Sequence, residues 1–271
     1  MPKVSKQILF LLAVLWSVFQ PIYAKKNLVL IICSNNLPVY KIHQESWRDY
    51  MHAFEEDFES YFLQLDENLE EEYRLVGDIL WIKGKESIRP GILDKTIKGF
   101  KFFLDRKGEF DYVIRPNLSS FLVLPRLKSF LKNVPKTRFY GGNLVEHFYG
   151  GNQVGHFISG ACFILSMDLM ESMAMKEQYF LGRRDKLDDV VIGDFLVQEL
   201  SIEPFHHPNY EFVKNHRPKK IASFIPKEVF HFRVKAEHHR KGIERVIHND
   251  LLNIFYPTIM IEKKLNRKVS S

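Results

Sequence analysis

Apolar residues occur along this chain in two arrangements, as short continuous runs and as longer stretches in which they recur at helical spacing. The run from Asn27 to Cys33 is bounded by turn formers, which predicts a strand buried on both faces. Further strands are predicted at 77–82, 110–115, 138–142 and 163–166. Helical spacing predicts helices at 40–62, 93–104, 121–131, 167–175 and 190–200. Strands that alternate with helices predict an α/β layer fold with a mostly parallel central sheet, and we expect residues 25–271 to form one domain.

The first 24 residues form a separate hydrophobic segment. Lys3 and Lys6 precede an apolar stretch over 8–19, and Gln20-Pro21 marks a break near its end. This stretch has the length of a signal-peptide core, and when extended to Ala24 it reaches the lower limit for a spanning helix. A cleaved signal peptide and an uncleaved membrane anchor both stay open. Either of them predicts a protein that is membrane-associated or enters the secretory pathway.

Composition and charge narrow the class of protein. The chain has 271 residues, of which 45% are apolar and 27% charged, as in an ordinary globular protein. Two cysteines are too few for a disulfide scaffold or a cysteine-rich zinc module. The net charge of +6 is local, because residues 205–271 hold 14 basic and six acidic side chains. A basic region suits phosphates, anionic membranes or nucleic acid equally, and since charge alone supports nucleic-acid binding, we do not expect it.

The residues after the strand predicted at 110–115 are a first candidate site. No common phosphate-loop, dinucleotide-binding, nucleophile-elbow or zinc-protease motif occurs in the chain, so the chemistry has to come from smaller groups. Arg115, Asn117 and Ser119 lie at the carboxyl end of this strand, where ligands gather in open α/β sheets. The alternative is a turn in which Asn117 or Ser119 caps the next helix.

Two adjacent carboxylates, Asp188 and Asp189, are a second candidate because they lead into the helix predicted at 190–200. In one interpretation Asp188 caps this helix and Asp189 complements its positive end. In the other, one of them is a general base, since neighbouring carboxylates raise each other's pKa. Gly160 permits close approach of the backbone to a ligand, although packing or a turn explains it as readily.

Histidines concentrate near the end of the chain, where seven of the 11 follow residue 204. Their spacing lacks two histidines one helical turn apart, so it does not indicate a zinc site. Residues 230–233 alternate as in a strand, which would let His231 point into a site while its neighbours pack. We expect the other histidines of this region to be exposed.

Taken in order, these segments resemble glycosyltransferase family 31, the β-1,3-galactosyltransferase and Fringe-like group. The similar segments span residues 28–193 and are Gly77-Asp78-Ile79-Leu80 with Lys95-Thr96, the strand at 110–115, Gly141-Gly142 with 159–166, and 188–193. The resemblance implies a GT-A-like nucleotide-sugar-binding fold. It also implies inverting transfer of a hexose from a UDP-sugar to a hydroxyl of a glycan or glycoconjugate, and a Golgi-like lumen if the source is eukaryotic.

The resemblance also implies roles for individual residues. Asp189 matches the position of the catalytic base, and Asp188 is the second choice. The residues implied in donor binding are Cys33, Ser34, Lys95, Arg115, Asn117, Ser119 and Gly160.

The chain departs from the family at the metal-binding motif. Where the family has Asp-Asp-Asp, this chain has Asn117-Leu118-Ser119, and hard cations such as Mn²⁺ draw much of their affinity from ligand charge. Three outcomes stay open. The first is catalysis without metal, with a cation such as Arg115, Lys219, Lys220 or Arg233 screening the pyrophosphate. The second is weak Mn²⁺ binding by Asn117, Ser119 and His231. The third is a non-catalytic carbohydrate or nucleotide-sugar binding protein, although the retained carboxylates at 188–189 favour an enzyme.

Overall fold

The computed structural model describes residues 24–33, 38–149, 152–211, 225–234 and 243–261. The hydrophobic segment before residue 24, as well as Ser34, Lys219 and Lys220, lies outside these ranges. Within them, no helix combines the length and the apolar character needed to cross a membrane. The signal peptide or anchor therefore stays a prediction.

The elements are numbered in chain order over these ranges. The strands are β1 (Lys26–Ile32), β2 (Phe58–Asp66), β3 (Tyr73–Val76), β4 (Ile79–Lys83), β5 (Phe110–Pro116), β6 (Ser120–Leu122), β7 (Tyr140–Tyr149), β8 (Asn152–Ser166), β9 (Phe205–His206), β10 (Tyr210–Glu211) and β11 (His231–Arg233). The helices are α1 (Pro38–Met51), α2 (Gly91–Phe102), α3 (Leu124–Leu131), α4 (Met167–Met175), α5 (Glu177–Leu181), α6 (Asp188–Asp194) and α7 (Ile243–Phe255). Short 3-10 helices span His52–Phe54 and Leu104–Glu109, and a π-helix, Phe195–Glu199, continues α6.

The large sheet has the strand order β3-β4-β2-β1-β5-β8-β7-β9. The pairs β1–β2, β1–β5, β2–β4 and β7–β9 are parallel, whereas β3–β4, β5–β8 and β7–β8 are antiparallel. The α/β layer fold is thus confirmed, but the sheet is mixed rather than mostly parallel. A parallel direction was predicted for β8 because the apolar run at its end is buried on both faces, as in a central strand of a parallel sheet.

The core lies on both faces of this sheet, because alternate side chains of β1 point to opposite sides. One face packs against α1, α3 and α7, with core residues Val29, Ile31, Trp47, Leu127 and Leu251. The other face packs against α2, α4 and α6, with core residues Leu28, Leu30, Ile97, Met170 and Ile192. Full burial of each such side chain stabilises the fold by about 1.5–3 kcal/mol. The strands β1 and β5, whose carboxyl ends support the candidate site, are therefore covered by core residues on both faces.

The helix predicted over 40–62 ends early, at Met51, and β2 begins at Phe58. Phe54, Phe58 and Phe62 recur every four residues, and this interval fits one face of a helix and one face of a strand alike. In the structure β2 pairs with both β1 and β4, so tertiary pairing decides the outcome.

A smaller sheet, in the order β10-β11-β6, crosses the carboxyl end of β5. Its strand β6 includes Phe121, which the sequence assigned to a helix; the helix begins at Leu124 instead. β6 pairs antiparallel with β11, which places Arg233 opposite Ser120. A segment from late in the chain is thereby held beside the residues that follow β5.

Candidate active site

A cleft of about 540 Å³ opens beside the carboxyl ends of β1 and β5. Six of the residues singled out in the sequence line it together: Asn117, Ser119, Gly160, Asp188, Asp189 and Arg233. Asn117 is held in place through its backbone, because its N–H donates to the Ala161 carbonyl of β8 at 2.7 Å and its strand end bridges to Ile32. The cleft is therefore built where an open α/β sheet offers a ligand the ends of its strands.

Gly160 lets the first turn of α6 approach β8 closely. Its N–H donates to Asp189 Oδ2 at 2.9 Å, and Asp189 Oδ1 accepts the N–H of Val190 at 3.1 Å. A Cβ atom at position 160 would lie 3.1 Å from Asp189 Oδ2 and 3.3 Å from Asp188 Oδ2. Both distances are tighter than ordinary contacts, so glycine is the residue that leaves the two carboxylates in their places.

The two carboxylates have different surroundings. Burial raises the pKa of Asp189, the neighbouring Asp188 carboxylate raises it further, and the N–H of Gly160 opposes the shift. Asp188 instead places Oδ2 2.5 Å from Nη2 of Arg115 in a buried ion pair. Asp189 is thus the carboxylate whose chemistry suits proton transfer, and Asp188 is the one that is held by a cation.

Arg115 lies behind the wall of the cleft with no exposed surface. Besides Asp188, its guanidinium donates to the Gly160 carbonyl at 2.6 Å, to Asn117 Oδ1 at 3.4 Å and to Thr96 Oγ1 at 3.2 Å. Arg115 therefore acts on the cleft through its neighbours. The resemblance implied that it contacts the donor directly, but its guanidinium is not exposed to the cleft.

Lys95 and Cys33 are likewise buried behind the cleft. Lys95 Nζ pairs with Glu86 Oε1 and Oε2 at 2.6 and 2.5 Å and also donates to the Cys33 carbonyl. Burial lowers the pKa of Lys95 and raises that of the Cys33 thiol to about 11. Neither side chain lines the cleft. Together with Glu86 they anchor the end of β1, a structural role that the resemblance did not imply.

His231 is placed away from Asn117 and Ser119. Its Nε2 lies 2.9 Å from Ser120 Oγ, and its ring lines a separate, much smaller cavity with Cys162 and His207. Burial lowers the pKa of His231 to about 3, and the positive charges of Arg233 and His207 add to this shift. The three predicted metal ligands therefore do not surround one common space.

The described residues of the cleft do not offer the set of ligands that Mn²⁺ prefers. Asn117 Oδ1 and Asp188 Oδ2 face the Arg115 guanidinium, and both Asp189 oxygens accept backbone N–H groups. In the described part of the chain, no three histidine, cysteine or acidic side chains are grouped so that they could hold a metal ion. Hard cations draw much of their affinity from ligand charge, and the described carboxylates here are one paired with Arg115 and one that accepts two backbone N–H groups, so these residues fit a divalent cation poorly.

Two further polar side chains line the cleft, namely Tyr40 and His43 of α1. In the sequence, Tyr40 was only the first residue of a predicted helix, and His43 had no distinguishing signal. Arg233, at the end of β11, was named in the sequence as one of four cations that could screen the pyrophosphate. Since α1 and β11 are far apart in the chain, only the folded structure brings these side chains to one cleft.

No protein-family model matches the sequence, and no curated protein matches it. Solved structures with a similar fold include a glycosyltransferase involved in the glycosylation of the major capsid of PBCV-1, with a TM-score of 0.51 and 8% identity over 83% of this chain and 99% of its own. They also include the 4-diphosphocytidyl-2C-methyl-D-erythritol synthase of Anaerococcus prevotii DSM 20548, with a TM-score of 0.40 and 13% identity over 68% of this chain and 86% of its own. Mouse xyloside xylosyltransferase 1 has a TM-score of 0.36 and 10% identity over 77% of this chain and 97% of its own.

The first of these similarities extends over almost the whole of the other chain and concerns the fold alone, because the sequence identity is only 8%. Membership in glycosyltransferase family 31 stays a prediction. What the comparison shows is that this chain has an α/β fold similar to that of a viral-capsid glycosyltransferase.

Proposed function

We propose that this protein transfers a glycosyl group from a nucleotide sugar to an acceptor hydroxyl, with inversion at the anomeric carbon. The observation that carries the proposal is the Asp189 carboxylate, which lies in the wall of the cleft with a raised pKa and is oriented by two backbone N–H groups. The similarity of the fold to that of a glycosyltransferase supports the same reaction class. A carboxylate in this state suits the abstraction of a hydroxyl proton near neutral pH.

In the proposed reaction, the acceptor oxygen attacks the anomeric carbon of the donor while Asp189 takes the hydroxyl proton. The bond between the anomeric carbon and the phosphate oxygen breaks, and its electron pair leaves with the nucleoside diphosphate. Asp188 stays paired with Arg115 and holds the first turn of α6 against β8. The division of roles follows from the different partners of the two carboxylates.

We extend the proposal in its finer points from the resemblance to glycosyltransferase family 31. The donor is a UDP-hexose, the acceptor is a glycan or glycoconjugate, and the protein works at a membrane or in a secretory, Golgi-like lumen. The reaction proceeds without Mn²⁺, because the residues around the cleft do not fit a divalent cation.

A second candidate function is a carbohydrate or nucleotide-sugar binding protein without catalysis. One observation favours it. The cleft is lined by the neutral side chains Asn117 and Ser119, at positions where glycosyltransferase family 31 has carboxylates. Such a protein would bind the donor and release no nucleoside diphosphate.

Ligand-dependent unfolding of the full chain tests both candidates. We expect UDP and UDP-sugars to stabilise the protein in EDTA, by about 2.7 kcal/mol at a concentration of 100 times the Kd. With a panel of glycan acceptors, the enzyme should release UDP in proportion to the product formed. Saturable binding without any release of UDP supports the second candidate, and the lack of any response to nucleotides contradicts the transferase and leaves a carbohydrate-binding protein.

A further inference from the structure

Arg233 is the one lysine or arginine side chain among the described residues that line the cleft. Its position is well defined, since β11 pairs with β6 and the N–H of Val234 donates to the Ser119 carbonyl at 2.8 Å. The two residues before it, His231 and Phe232, are buried. Arg233 therefore emerges from a packed strand directly beside Asn117 and Ser119.

The guanidinium of Arg233 has an unused donor. Nη1 pairs with Glu211 Oε1 at 3.0 Å, whereas Nε is buried and finds no acceptor within the described ranges of the chain. A buried N–H without an acceptor is costly, so such a group favours a ligand that supplies one. Nε and Nη2 form one edge of the planar guanidinium, and this edge matches two oxygens of a phosphate group.

Among the described residues, the two other basic side chains that the sequence singled out, Arg115 and Lys95, cannot serve this purpose. Arg115 and Lys95 have no exposed surface and are paired with Asp188 and Glu86. A leaving nucleoside diphosphate gains negative charge as its bond to the sugar breaks, and a positive group must lie close to it. The described residues of the cleft do not fit a divalent cation, and among them the Arg233 guanidinium is the group of the right charge.

We infer that Arg233 binds the diphosphate of the donor and neutralises the leaving nucleoside diphosphate, in the role that a metal ion would otherwise fill. The inference rests on the proposed function for the identity of the ligand, while the recognition of a diphosphate by Arg233 can be tested without any sugar transfer. Glu211 is the competing partner, because its carboxylate holds the guanidinium when no phosphate is bound.

Equilibrium binding to the full chain in EDTA tests the inference, with uridine, UMP, UDP and inorganic pyrophosphate as the probes. We expect Arg233→Gln to weaken the binding of UDP and pyrophosphate tenfold or more and to change that of uridine less than twofold. Arg233→Lys keeps the charge and loses the planar fork, so its affinity for UDP should lie between those of Arg233→Gln and the unaltered protein. Mn²⁺ should not restore the affinity of Arg233→Gln.

Two further variants separate phosphate recognition from a structural role. Arg245 forms a comparable ion pair with Glu45 at 2.9 Å and does not line the cleft, so Arg245→Gln should leave all four affinities within twofold. Glu211→Gln removes the competing carboxylate and should raise the affinity for UDP severalfold. A purely structural ion pair between Arg233 and Glu211 would predict weaker binding or no change.

The outcomes distinguish the inference from the proposed function. Binding of UDP that is equally strong in Arg233→Gln overturns the role of Arg233 and leaves the proposed function standing. Arg233-dependent binding of pyrophosphate without any nucleotide binding supports a diphosphate site and contradicts the nucleotide-sugar donor. A requirement for Mn²⁺ in the unaltered protein overturns the inference, and a protein that binds none of the probes contradicts both.

Discussion

At the scale of single residues, two adjacent carboxylates acquire different chemistry from different neighbours. Asp188 faces a buried guanidinium, and Asp189 faces two backbone N–H groups beside Gly160. Identical side chains at successive positions of one helix thus divide into a structural anion and a candidate base. The division depends on Arg115, which lies 73 positions earlier in the chain.

Removal of the candidate base is the first test at this scale. We expect Asp189→Asn to lower kcat by about 10²- to 10⁴-fold, the usual contribution of a general base, while the Kd of the donor changes little. Asp194→Asn, on the same helix and partly exposed, is the matched control and should retain full activity. Full activity of Asp189→Asn would assign the proton transfer to another group.

The close approach at Gly160 gives a second prediction. In Gly160→Ala the new methyl group meets Asp189 Oδ2 and Asp188 Oδ2, so the carboxylates must shift by a few tenths of an ångström. We expect kcat to fall about tenfold or more, since small displacements of catalytic groups are costly. Gly108→Ala is the control, because a Cβ there meets no atom within 4 Å. Equal kcat values for the two variants would mean that the carboxylates are not placed by this contact.

The resemblance to family 31 implied that Asn117, Ser119, Gly160 and the two aspartates belong to one site, and in the structure all five line the cleft. The sequence did not predict which cations reach a ligand. Arg115 and Lys95 are withdrawn from the cleft by Asp188 and Glu86, and pairings of this kind are set by distance in space.

At the scale of elements, α6 is short and is held to the sheet by the ion pair between Arg115 and Asp188. Loss of one member of a buried pair leaves an uncompensated charge, so we expect Arg115→Met to lower the free energy of unfolding by about 3–5 kcal/mol. The double variant Arg115→Met/Asp188→Leu should recover most of this loss. Urea titration measures both changes.

The control for this prediction is Arg184→Met, which breaks a more exposed pair with Asp94. Exposed pairs contribute about 1 kcal/mol or less, so the loss there should be small. The prediction would be contradicted if Arg115→Met/Asp188→Leu were no more stable than Arg115→Met alone. In that case the ion pair itself would be required to hold α6 against the sheet.

Helices and strands were predictable from the sequence where the spacing of apolar residues fitted only one kind of element. The strand β1 and the helices α2 and α4 match the predicted ranges within two residues. The strand β2 could not be recognised because the spacing of its aromatic residues fits a helix and a strand equally well. The antiparallel direction of β8 could not be predicted because burial of a strand on both faces does not depend on its direction. These features are decided by pairing between strands.

At the scale of the whole molecule, buried histidines join late elements of the chain to early ones. His231 of β11 contacts Ser120 of β6, and His248 of α7 contacts both Ser46 and His43 of α1. Burial is the main cause that lowers the pKa of His231 to about 3 and of His248 well below its usual value. Both histidines are therefore neutral in the folded protein at neutral pH.

Stability should consequently fall in mild acid. Below pH about 6.5 the histidines of the unfolded chain bind protons and the buried ones do not, so the free energy of unfolding drops as the pH falls towards 3. Each of these histidines contributes at most about 1.4 kcal/mol per pH unit. Urea titrations from pH 7.5 to pH 5 measure the slope. The slope of the free energy of unfolding against pH should be smaller in His231→Gln, because this variant lacks one of the buried histidines while keeping a polar atom near Ser120. The slope should be unchanged in the control His52→Gln, because position 52 is exposed.

The small sheet of β10, β11 and β6 also has a consequence for the synthesis of the protein. A nascent chain that has passed Asp189 already holds both carboxylates, yet it lacks β11 and with it the guanidinium that completes the cleft. We therefore expect a polypeptide that is still growing, or one that is cut short before β11, to be inert towards the donor. Activity would begin only when translation has delivered β11, which enters the sheet well after both carboxylates have been synthesised.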